Sequence, residues 1–273
     1  MIEAVIFDLD GVLTKSDHYH TSAWRQTCEQ WGIPFADSTG DLARGVSRLE
    51  SARIVAVHGG VELTQKQLAT FAEEKNSNYV RLLEDMNATD VIPGVSVLLK
   101  HLQDAGIALA VASSSRNAPL ILEKTGLKGY FTVIVDGSRI TRSKPDPEVF
   151  QKAADALGIP YPNCLVVEDA VSGVQAALAL GCQVAAVGGA ALTEGVAYPL
   201  KETGDLMEVF SNKWIPLLLP RCPNPVSRPN ARSRCNLWQG ACCSILPQHF
   251  LPHNNVGPRS LRYCRARRIR CRN

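Results

Sequence analysis

The sequence predicts an α/β fold in which a block of helices interrupts a parallel sheet after its first strand. Three observations predict it: a short apolar run at residues 4–7, a helical stretch at 17–86, and a regular alternation of helices and strands from Pro93 onward. Such alternation implies right-handed crossovers and a parallel sheet covered on both faces. Because a lone strand cannot stand, the first strand joins the later ones, and the helices between them form an insertion.

The first strand is the run AVIF, which is followed by two aspartates at positions 8 and 10, as expected for a buried parallel strand. The insertion contains three predicted helices, each of which starts at a residue able to cap a helix N-terminus. They run from Asp17 to about Trp31, from Ser47 to about Val57, and from Thr64 to about Leu83. Hinges are expected near residues 14–16 and 87–93.

The later elements alternate without interruption. They are a helix at about 95–104, the strand IALAVAS, a helix from about 118, the strand FTVIV, a helix from Pro147, the strand CLVVED, a helix from about 172 and the strand QVAAV. We therefore expect a Rossmann-like α/β core formed by residues 1–16 and 88–214. Residues 17–87 are predicted to form an inserted α-helical cap domain.

Charge separates the end of the chain from the rest. The 273 residues carry a formal net charge of +3, but all 26 acids lie at or before Glu208. The first 208 residues therefore have 17 bases and a net charge of −9, and the last 65 have 12 bases and no acid. Residues 215–273 are rich in Cys, Pro and Arg and show no structural period, which predicts a disordered tail. An altered reading frame is a second interpretation of this segment.

Polar residues follow several predicted strands at the edge where the carboxyl ends of parallel strands meet, which is where ligands bind in such folds. They are Asp8 and Asp10 after the first strand, Ser113 after the second, Glu168 and Asp169 at the fourth, and Lys144 in the preceding loop SKPDP. Crowded carboxylates need a cation, and oxygen ligands without nearby His or Cys favour Mg²⁺. Asp8 and Asp10 lie on one face of the strand, so one of them can act as the nucleophile while the other transfers the proton. This set suits phosphoryl transfer.

These residues also carry a family resemblance. FDLDGV, the Ser113 strand end, Lys144 in SKPDP and the pair Glu168-Asp169 resemble the four motifs of haloacid dehalogenase-like phosphotransferases. DHYHTSAW, GVSR, EKNSNYV and ASSSRN further resemble the β-phosphoglucomutase family, from Ile2 to about Trp214. Lys15 departs from the pattern, because the family has an acid after the threonine at this presumed hinge.

The resemblance implies a role for each matched residue at the sheet edge. Asp8 would be the nucleophile that becomes an aspartyl phosphate, and Asp10 the general acid and base, which His20 would help to place when the cap closes. Mg²⁺ would be held by Asp8, the Asp10 carbonyl and Asp169, with Glu168 beside it. Ser113 and Lys144 would hold the transferring phosphate.

The resemblance also implies a second phosphate grip and a sugar-binding surface. Arg48 would bind the other phosphate of a glucose bisphosphate, helped by Ser115, Arg116 and Asn117. The sugar side would be lined by Trp24, Gly45, Ser47, Ser51, Lys75 and Asn76. A mutase needs a grip on each side of the cleft, because it binds one sugar in two orientations, and forked guanidinium donors suit phosphate.

The resemblance implies an isomerase that interconverts β-D-glucose 1-phosphate and glucose 6-phosphate. Two alternatives remain: a Mg²⁺-dependent sugar-phosphate phosphatase using the same Asp8, and a nucleic-acid-binding protein acting through the basic tail. For the favoured reading we expect a cytoplasmic monomer that binds a small sugar phosphate, with no membrane or nucleic-acid partner. The N-terminal run MIEAVIFDLD carries acids where a secretory signal carries bases.

Overall fold

The computed structural model describes residues 1–43 and 45–210, which belong to one compact unit. The helices and strands follow the predicted order. The strands are β1 (Ala4–Phe7), β2 (Ala108–Ala112), β3 (Val133–Val135), β4 (Cys164–Glu168), β5 (Gln183–Val187) and β6 (Tyr198–Leu200). The helices are α1 (Asp17–Trp31), α2 (Asp37–Leu42), α3 (Arg48–His58), α4 (Gln65–Leu82), α5 (Val95–Asp104), α6 (Ala118–Lys124), α7 (Glu148–Leu157) and α8 (Val171–Leu180). The predicted tail lies outside the described residues.

The six strands form one parallel sheet in the order β3-β2-β1-β4-β5-β6. Chain order reverses between β1 and β4, and such a reversal opens a crevice at the carboxyl ends of the strands. Phe7 pairs with Val111 on one side and with Val167 on the other, so β1 ends level with its two neighbours. The predicted α/β fold with a parallel sheet is confirmed.

Two hydrophobic clusters cover the two faces of the sheet. One contains Leu98 and Leu102 of α5 and Ile121 of α6. The other contains Phe150 of α7 and Val174 of α8. The side chains of β1 alternate between these clusters, since each strand residue faces the opposite side from the next. This double burial explains why the strand sequences are continuously apolar.

Helices α1 to α4, called the inserted helices below, leave the sheet after β1 and return before α5. They have a hydrophobic cluster of their own, which includes Trp24 of α1, Val55 of α3 and Phe71 of α4. The Ser47 hydroxyl accepts the Glu50 N–H at the start of α3, and Thr64 and Gln67 form a reciprocal cap at the start of α4. Both capping predictions are confirmed. The boundaries of core and cap remain predictions.

The structure differs from the sequence-based expectation in three places. Asp17 is the first residue of α1 and not its cap; Ser16 occupies the N-cap position and its hydroxyl donates to Asp10 instead. The six-residue helix α2 and the three-residue strand β6 are additions to the predicted elements. Both are too short to show a hydrophobic period, and β6 contains Pro199, which is compatible with an edge strand. Among the described residues, no helix combines the length and apolar character needed to cross a bilayer.

Candidate active site

The strand register positions the first catalytic candidates. The Asp8 N–H donates to the Val167 carbonyl at 3.0 Å, and the Ser113 N–H donates to the Val135 carbonyl at 2.9 Å. Asp8 and Ser113 are the residues that directly follow β1 and β2. Their backbone N–H groups still bond to neighbouring strands, so both residues are fixed at the edge of the sheet. Glu168 ends β4 beside Asp8. The acids and the serine that the sequence placed at this edge do meet there.

A cavity of about 490 Å³ opens between this sheet edge and the inserted helices. Every site residue predicted from the sequence lines it. From the sheet edge these are Asp8, Asp10, Ser113, Ser115, Arg116, Asn117, Lys144, Glu168 and Asp169, and from the inserted helices and their loops His20, Trp24, Gly45, Ser47, Arg48, Ser51, Lys75 and Asn76. Their assembly around one space is a structural finding; their individual roles remain predictions.

Lys144 lies at the base of the cavity between two carboxylates. Its ammonium donates to Asp8 and to Glu168 and sits over the Phe150 ring, 4.8 Å from the ring centroid. The side chain is only 1 % exposed. Burial alone would lower the pKa of Lys144, but the charges of Asp8 and Glu168 outweigh it and raise that pKa. The lysine is therefore a permanent cation at the point where a transferring phosphate would collect negative charge.

Glu168 is fully buried and both of its carboxylate oxygens are engaged. Oε1 accepts from Lys144, and Oε2 accepts the N–H groups of Asp169 and Ala170, both at 2.9 Å. A Cβ at Gly173 would lie 1.8 Å from Oε1, so this carboxylate needs a glycine in α8. The geometry favours a role in holding Lys144 and the loop after β4. The predicted metal-site role of Glu168, beside the ion held by Asp8, Asp169 and the Asp10 carbonyl, stays a prediction.

Asp8 and Asp169 both line the cavity at the sheet edge, and the Asp8 charge is one of the causes that raise the pKa of Asp169. Burial, followed by the charges of neighbouring acids, raises the pKa of Asp169 to about 8. Burial likewise raises the pKa of Asp8 to about 7; the Lys144 charge acts against this rise, and the charges of Glu168 and Asp10 add to it. Gly11 has a φ of +80°, and a Cβ there would lie 2.1 Å from Asp169 Oδ2, so the glycine makes room for the carboxylate.

This arrangement fits Mg²⁺. Two buried carboxylates that repel each other are stabilised by a divalent cation, and their oxygens are the ligands Mg²⁺ prefers. Among the described residues, no three His, Cys, Asp or Glu side chains are grouped closely enough to hold a metal by themselves. The predicted set of Asp8, Asp169 and the Asp10 carbonyl needs only two side chains, and waters and phosphate commonly complete such sites.

Asp10 belongs to a different electrostatic environment from Asp8. Ser16 donates to it, and His20 Nε2 lies 3.6 Å from its Oδ1. Burial alone would raise the pKa of Asp10, but the hydrogen bonds and charges of these residues and of Lys75 lower it. Two carboxylates two residues apart thus differ in the direction of their pKa shifts, a pattern typical of acids with separate catalytic roles.

His20 is held from both sides by α4. Lys75 Nζ donates to its Nδ1 at 2.7 Å, which leaves Nε2–H directed at Asp10. The Tyr79 ring stacks on His20 with 4.0 Å between centroids. Burial lowers the pKa of Lys75 to about 7, and the Arg48 charge adds to this effect. Lys75 and His20 therefore link α4 to the acid at the sheet edge.

The far end of the cavity joins the inserted helices to the core. Asn117 Nδ2 donates to Asn76 Oδ1 at 3.0 Å, and Ser114 Oγ donates to the Gly45 carbonyl at 3.3 Å. A Cβ at Gly45 would lie 2.9 Å from Ser172 Oγ, so the loop before α3 sits close to the first turn of α8. Arg48 Nη1 donates to Glu73 at 2.9 Å. This end of the cavity carries guanidinium, amide and hydroxyl donors.

Sequence reasoning missed three residues that shape the site: Ser16, Glu73 and Tyr79. Ser16 falls in the predicted hinge, and only the fold reveals that its hydroxyl donates to Asp10. Glu73 and Tyr79 lie on the cavity-facing side of α4 with Lys75 and Asn76. Glu73 lies three residues before Asn76, and residues at this spacing share one face of a helix. This spacing could have identified Glu73 as a residue of the site.

Comparisons with known proteins agree with this geometry. A sequence model of the haloacid dehalogenase-like hydrolase family matches residues 2–181. The β-phosphoglucomutase of Bacillus subtilis is 35 % identical over 216 residues, which are 78 % of this chain and 96 % of that protein. The phosphorylated carbohydrates phosphatase of Thermotoga maritima is 31 % identical over 188 residues, 67 % of this chain and 83 % of that protein.

A solved structure gives the same result for the fold. The crystal structure of a β-phosphoglucomutase from Clostridium difficile superimposes with a TM-score of 0.73 at 31 % identity, and it covers 78 % of this chain and 97 % of that one. This mutase thus shares its architecture with the present chain. The family match, the relatives and the sheet-edge acids lead to one conclusion: the chain belongs to the haloacid dehalogenase-like hydrolase family.

Proposed function

We propose that the chain is a β-phosphoglucomutase, an isomerase that interconverts β-D-glucose 1-phosphate and glucose 6-phosphate. The observation that carries this proposal is the two-ended cavity. Asp8, Ser113 and Lys144 lie at the sheet edge, and Arg48 lies on the inserted helices. A bisphosphate needs donors for a phosphate at each end, whereas hydrolysis of a monophosphate needs only the end with the nucleophile.

The two acids divide the chemistry. In the phosphorylated enzyme, a sugar hydroxyl attacks the phosphorus on Asp8, the bond between phosphorus and the Asp8 oxygen breaks, and Asp10 takes the hydroxyl proton. The lowered pKa of Asp10 keeps it ionised and ready to act as that base. After the glucose 1,6-bisphosphate has exchanged ends, Asp8 attacks its other phosphate. Asp10 then returns the proton to the departing sugar oxygen.

The remaining residues position the phosphates. Lys144 neutralises charge on the transferring group, and the Ser113 hydroxyl, whose oxygen accepts the Ser115 N–H, can donate to a phosphate oxygen. Mg²⁺, held by Asp8, Asp169 and the Asp10 carbonyl, would supply further neutralisation of the phosphate charge. Arg48, with Arg116, Ser115 and Asn117, binds the second phosphate. Trp24, Gly45, Ser47, Ser51, Lys75 and Asn76 surround the sugar.

Closure of the inserted helices favours transfer to a sugar over hydrolysis. An aspartyl phosphate that meets water is hydrolysed, so a mutase must exclude water while the sugar is bound. The contacts of Asn117 with Asn76 and of Ser114 with Gly45 join the two sides of the cavity. Both contacts are single hydrogen bonds between polar groups, which can form and break as the substrate enters and leaves.

The second candidate is a sugar-phosphate phosphatase with the same Asp8 and Mg²⁺, which the similarity to a phosphorylated carbohydrates phosphatase favours. Incubation of the purified chain with Mg²⁺, β-glucose 1-phosphate and a trace of glucose 1,6-bisphosphate separates the two. Phosphorus NMR follows both the 6-phosphate and inorganic phosphate. Appearance of the isomer ahead of free phosphate supports the mutase, and phosphate release that outruns isomerisation supports the phosphatase.

The proposal carries the remaining expectations with it. A small sugar-phosphate substrate agrees with the names of two relatives, a β-phosphoglucomutase and a phosphorylated carbohydrates phosphatase. The cytoplasmic location and the monomeric state stay predictions. The nucleic-acid alternative depends on residues 215–273, which lie outside the described part of the chain. Nucleic-acid binding that is lost on truncation after Trp214 would support that alternative, and intact isomerase activity after truncation would support the proposal.

A further inference from the structure

Glu73 places a negative charge in the part of the cavity that the proposed function assigns to a phosphate. It lies in α4 and lines the cavity with Arg48. Its Oε2 accepts from Arg48 Nη1 at 2.9 Å, and its Oε1 accepts from Asn76 Nδ2 at 3.4 Å. A carboxylate thus engages the same guanidinium that would bind the second phosphate of a sugar bisphosphate.

The ion pair between Arg48 and Glu73 is weak enough for a phosphate to replace Glu73 as the partner of Arg48. The side chain of Arg48 is 25 % exposed and that of Glu73 is 65 % exposed. Ion pairs at this exposure add little stability, because water screens them and both side chains lose freedom. A phosphate dianion carries more charge and can accept two parallel guanidinium hydrogen bonds, so it outcompetes a carboxylate for arginine. Glu73 would then have to move aside.

Asn76 connects the ion pair of Arg48 and Glu73 to the contact between the inserted helices and the core. Asn76 donates to Glu73 and accepts from Asn117, the residue that precedes α6. The polar chain therefore runs from Arg48 through Glu73 and Asn76 to Asn117. A phosphate that displaces Glu73 from Arg48 acts at one end of this series of hydrogen bonds. Asn117, at the other end, is itself predicted to bind that phosphate.

We propose that Glu73 is a specificity-determining residue that competes with the second phosphate of the substrate for Arg48 and so limits how tightly that phosphate is held. This inference rests on the proposed function, in which a bisphosphate must leave its grip and exchange ends between the two transfers. Too firm a grip on one phosphate would delay that exchange. Glu73 supplies a ready replacement partner for Arg48 whenever the phosphate departs.

The test is a calorimetric titration of the full chain with glucose 6-phosphate, in the presence of Mg²⁺. Glu73→Gln removes the competing charge and keeps the shape of the side chain. Glu74→Gln is the matched control, because the neighbouring Glu74 accepts a hydrogen bond from Trp31. Arg48→Ala and the double variant Arg48→Ala/Glu73→Gln show whether Glu73 acts through Arg48.

Glu73→Gln is expected to lower Kd for glucose 6-phosphate about three- to tenfold, as follows from losing one exposed ion pair and one carboxylate–phosphate repulsion. Glu74→Gln should leave Kd within about twofold. In protein that already carries Arg48→Ala, adding Glu73→Gln should not lower Kd for glucose 6-phosphate. Unchanged or weaker binding by Glu73→Gln, a gain that survives without Arg48, or wild-type protein that binds no glucose 6-phosphate would each overturn the inference.

The titration measures binding and not isomerisation, so it separates this inference from the proposed function. A chain that shows the expected pattern of Kd values but interconverts no isomers refutes the mutase and supports the role of Glu73. An active mutase in which Glu73→Gln binds no tighter refutes the role of Glu73 alone. In an active mutase, Glu73→Gln should also lower KM, and it should lower kcat because a firmer grip on one phosphate delays the exchange of ends.

Discussion

Replacement of Lys144 by methionine tests the electrostatic design of the sheet edge. Lys144 is 1 % exposed and its ammonium contacts both Asp8 and the fully buried Glu168. Methionine keeps most of the volume but leaves two buried carboxylates without their cation. Breaking a buried ion pair by removing one partner costs about 3–5 kcal/mol. For a protein of this size that corresponds to a fall in Tm of about 6–20 °C.

The loss of stability in Lys144→Met should depend on pH in a defined direction. A carboxyl group whose pKa is raised by folding binds more protons when folded, so its contribution to stability falls as pH rises from 3.8 to its folded pKa. That folded pKa is about 7 for Asp8 even with Lys144 present, and Lys144 lowers it. Removing Lys144 therefore raises the folded pKa of Asp8 further. The difference from wild type should therefore be larger near pH 8 than near pH 5.

Urea unfolding of both proteins in EDTA at several pH values measures this difference. Lys100→Met is the control, because Lys100 is 62 % exposed and pairs with Asp104 one helical turn away. The control should stay within about 0.5 kcal/mol of wild type at every pH. If Lys144→Met matched the control, or if its loss did not vary with pH, the assignment of Lys144 as the cation of two buried acids would be wrong.

Four further predictions concern the reaction and its metal. Asp8→Asn should abolish isomerisation and phosphate release, because no aspartyl phosphate can form; turnover measured by phosphorus NMR would contradict the mechanism. Gly11→Ala should weaken Mg²⁺ binding at least tenfold by calorimetry, because the new Cβ would lie 2.1 Å from Asp169 Oδ2 at a φ of +80°; equal affinity would show that Asp169 is not a ligand. Mg²⁺ should raise Tm more at pH 8 than at pH 6, because at the lower pH it must displace protons from acids with pKa values of about 7 and 8; the opposite trend would contradict the site. Arg48→Ala should reduce isomerisation more than hydrolysis of a small phosphate ester, by about 1.5–3 kcal/mol in transition-state binding, and equal losses would argue against a second phosphate grip.

The sheet edge could be predicted from the sequence because its determinants are local. Each buried strand is a short apolar run, and the residue after the run marks where the strand leaves the sheet. Parallel strands end at one edge, so reading positions 8, 113 and 168 together required only the strand assignments. The structure places these three residues on adjacent strands around β1. Lys144 lies outside any strand, and its position beside Asp8 followed only from its motif.

The polar partners could not be predicted in the same way, because they depend on how the inserted helices sit over the sheet. The spacing of Lys75 and Tyr79 places both on one face of α4, but it does not show that this face meets His20 of α1. The carboxylate of Glu73 has no partner within its own helix turn except Asn76, and its contact with Arg48 joins α3 to α4. Contacts between elements follow from packing, which no local pattern records.

The division of labour between sheet and inserted helices explains why mutases and phosphatases both appear among the relatives of this chain. In both candidate functions, Asp8, Lys144 and Asp169 would serve the transfer of a phosphoryl group to or from the enzyme, a step that the two reactions share. Similarity over the sheet therefore supports phosphoryl chemistry without choosing its acceptor. In the proposed function, the choice between a sugar hydroxyl and water would depend on what the inserted helices hold and exclude, and the charge balance between Arg48 and Glu73 would contribute to it. A cavity end with net positive charge retains a second phosphate, whereas one neutralised too strongly would release it and admit water.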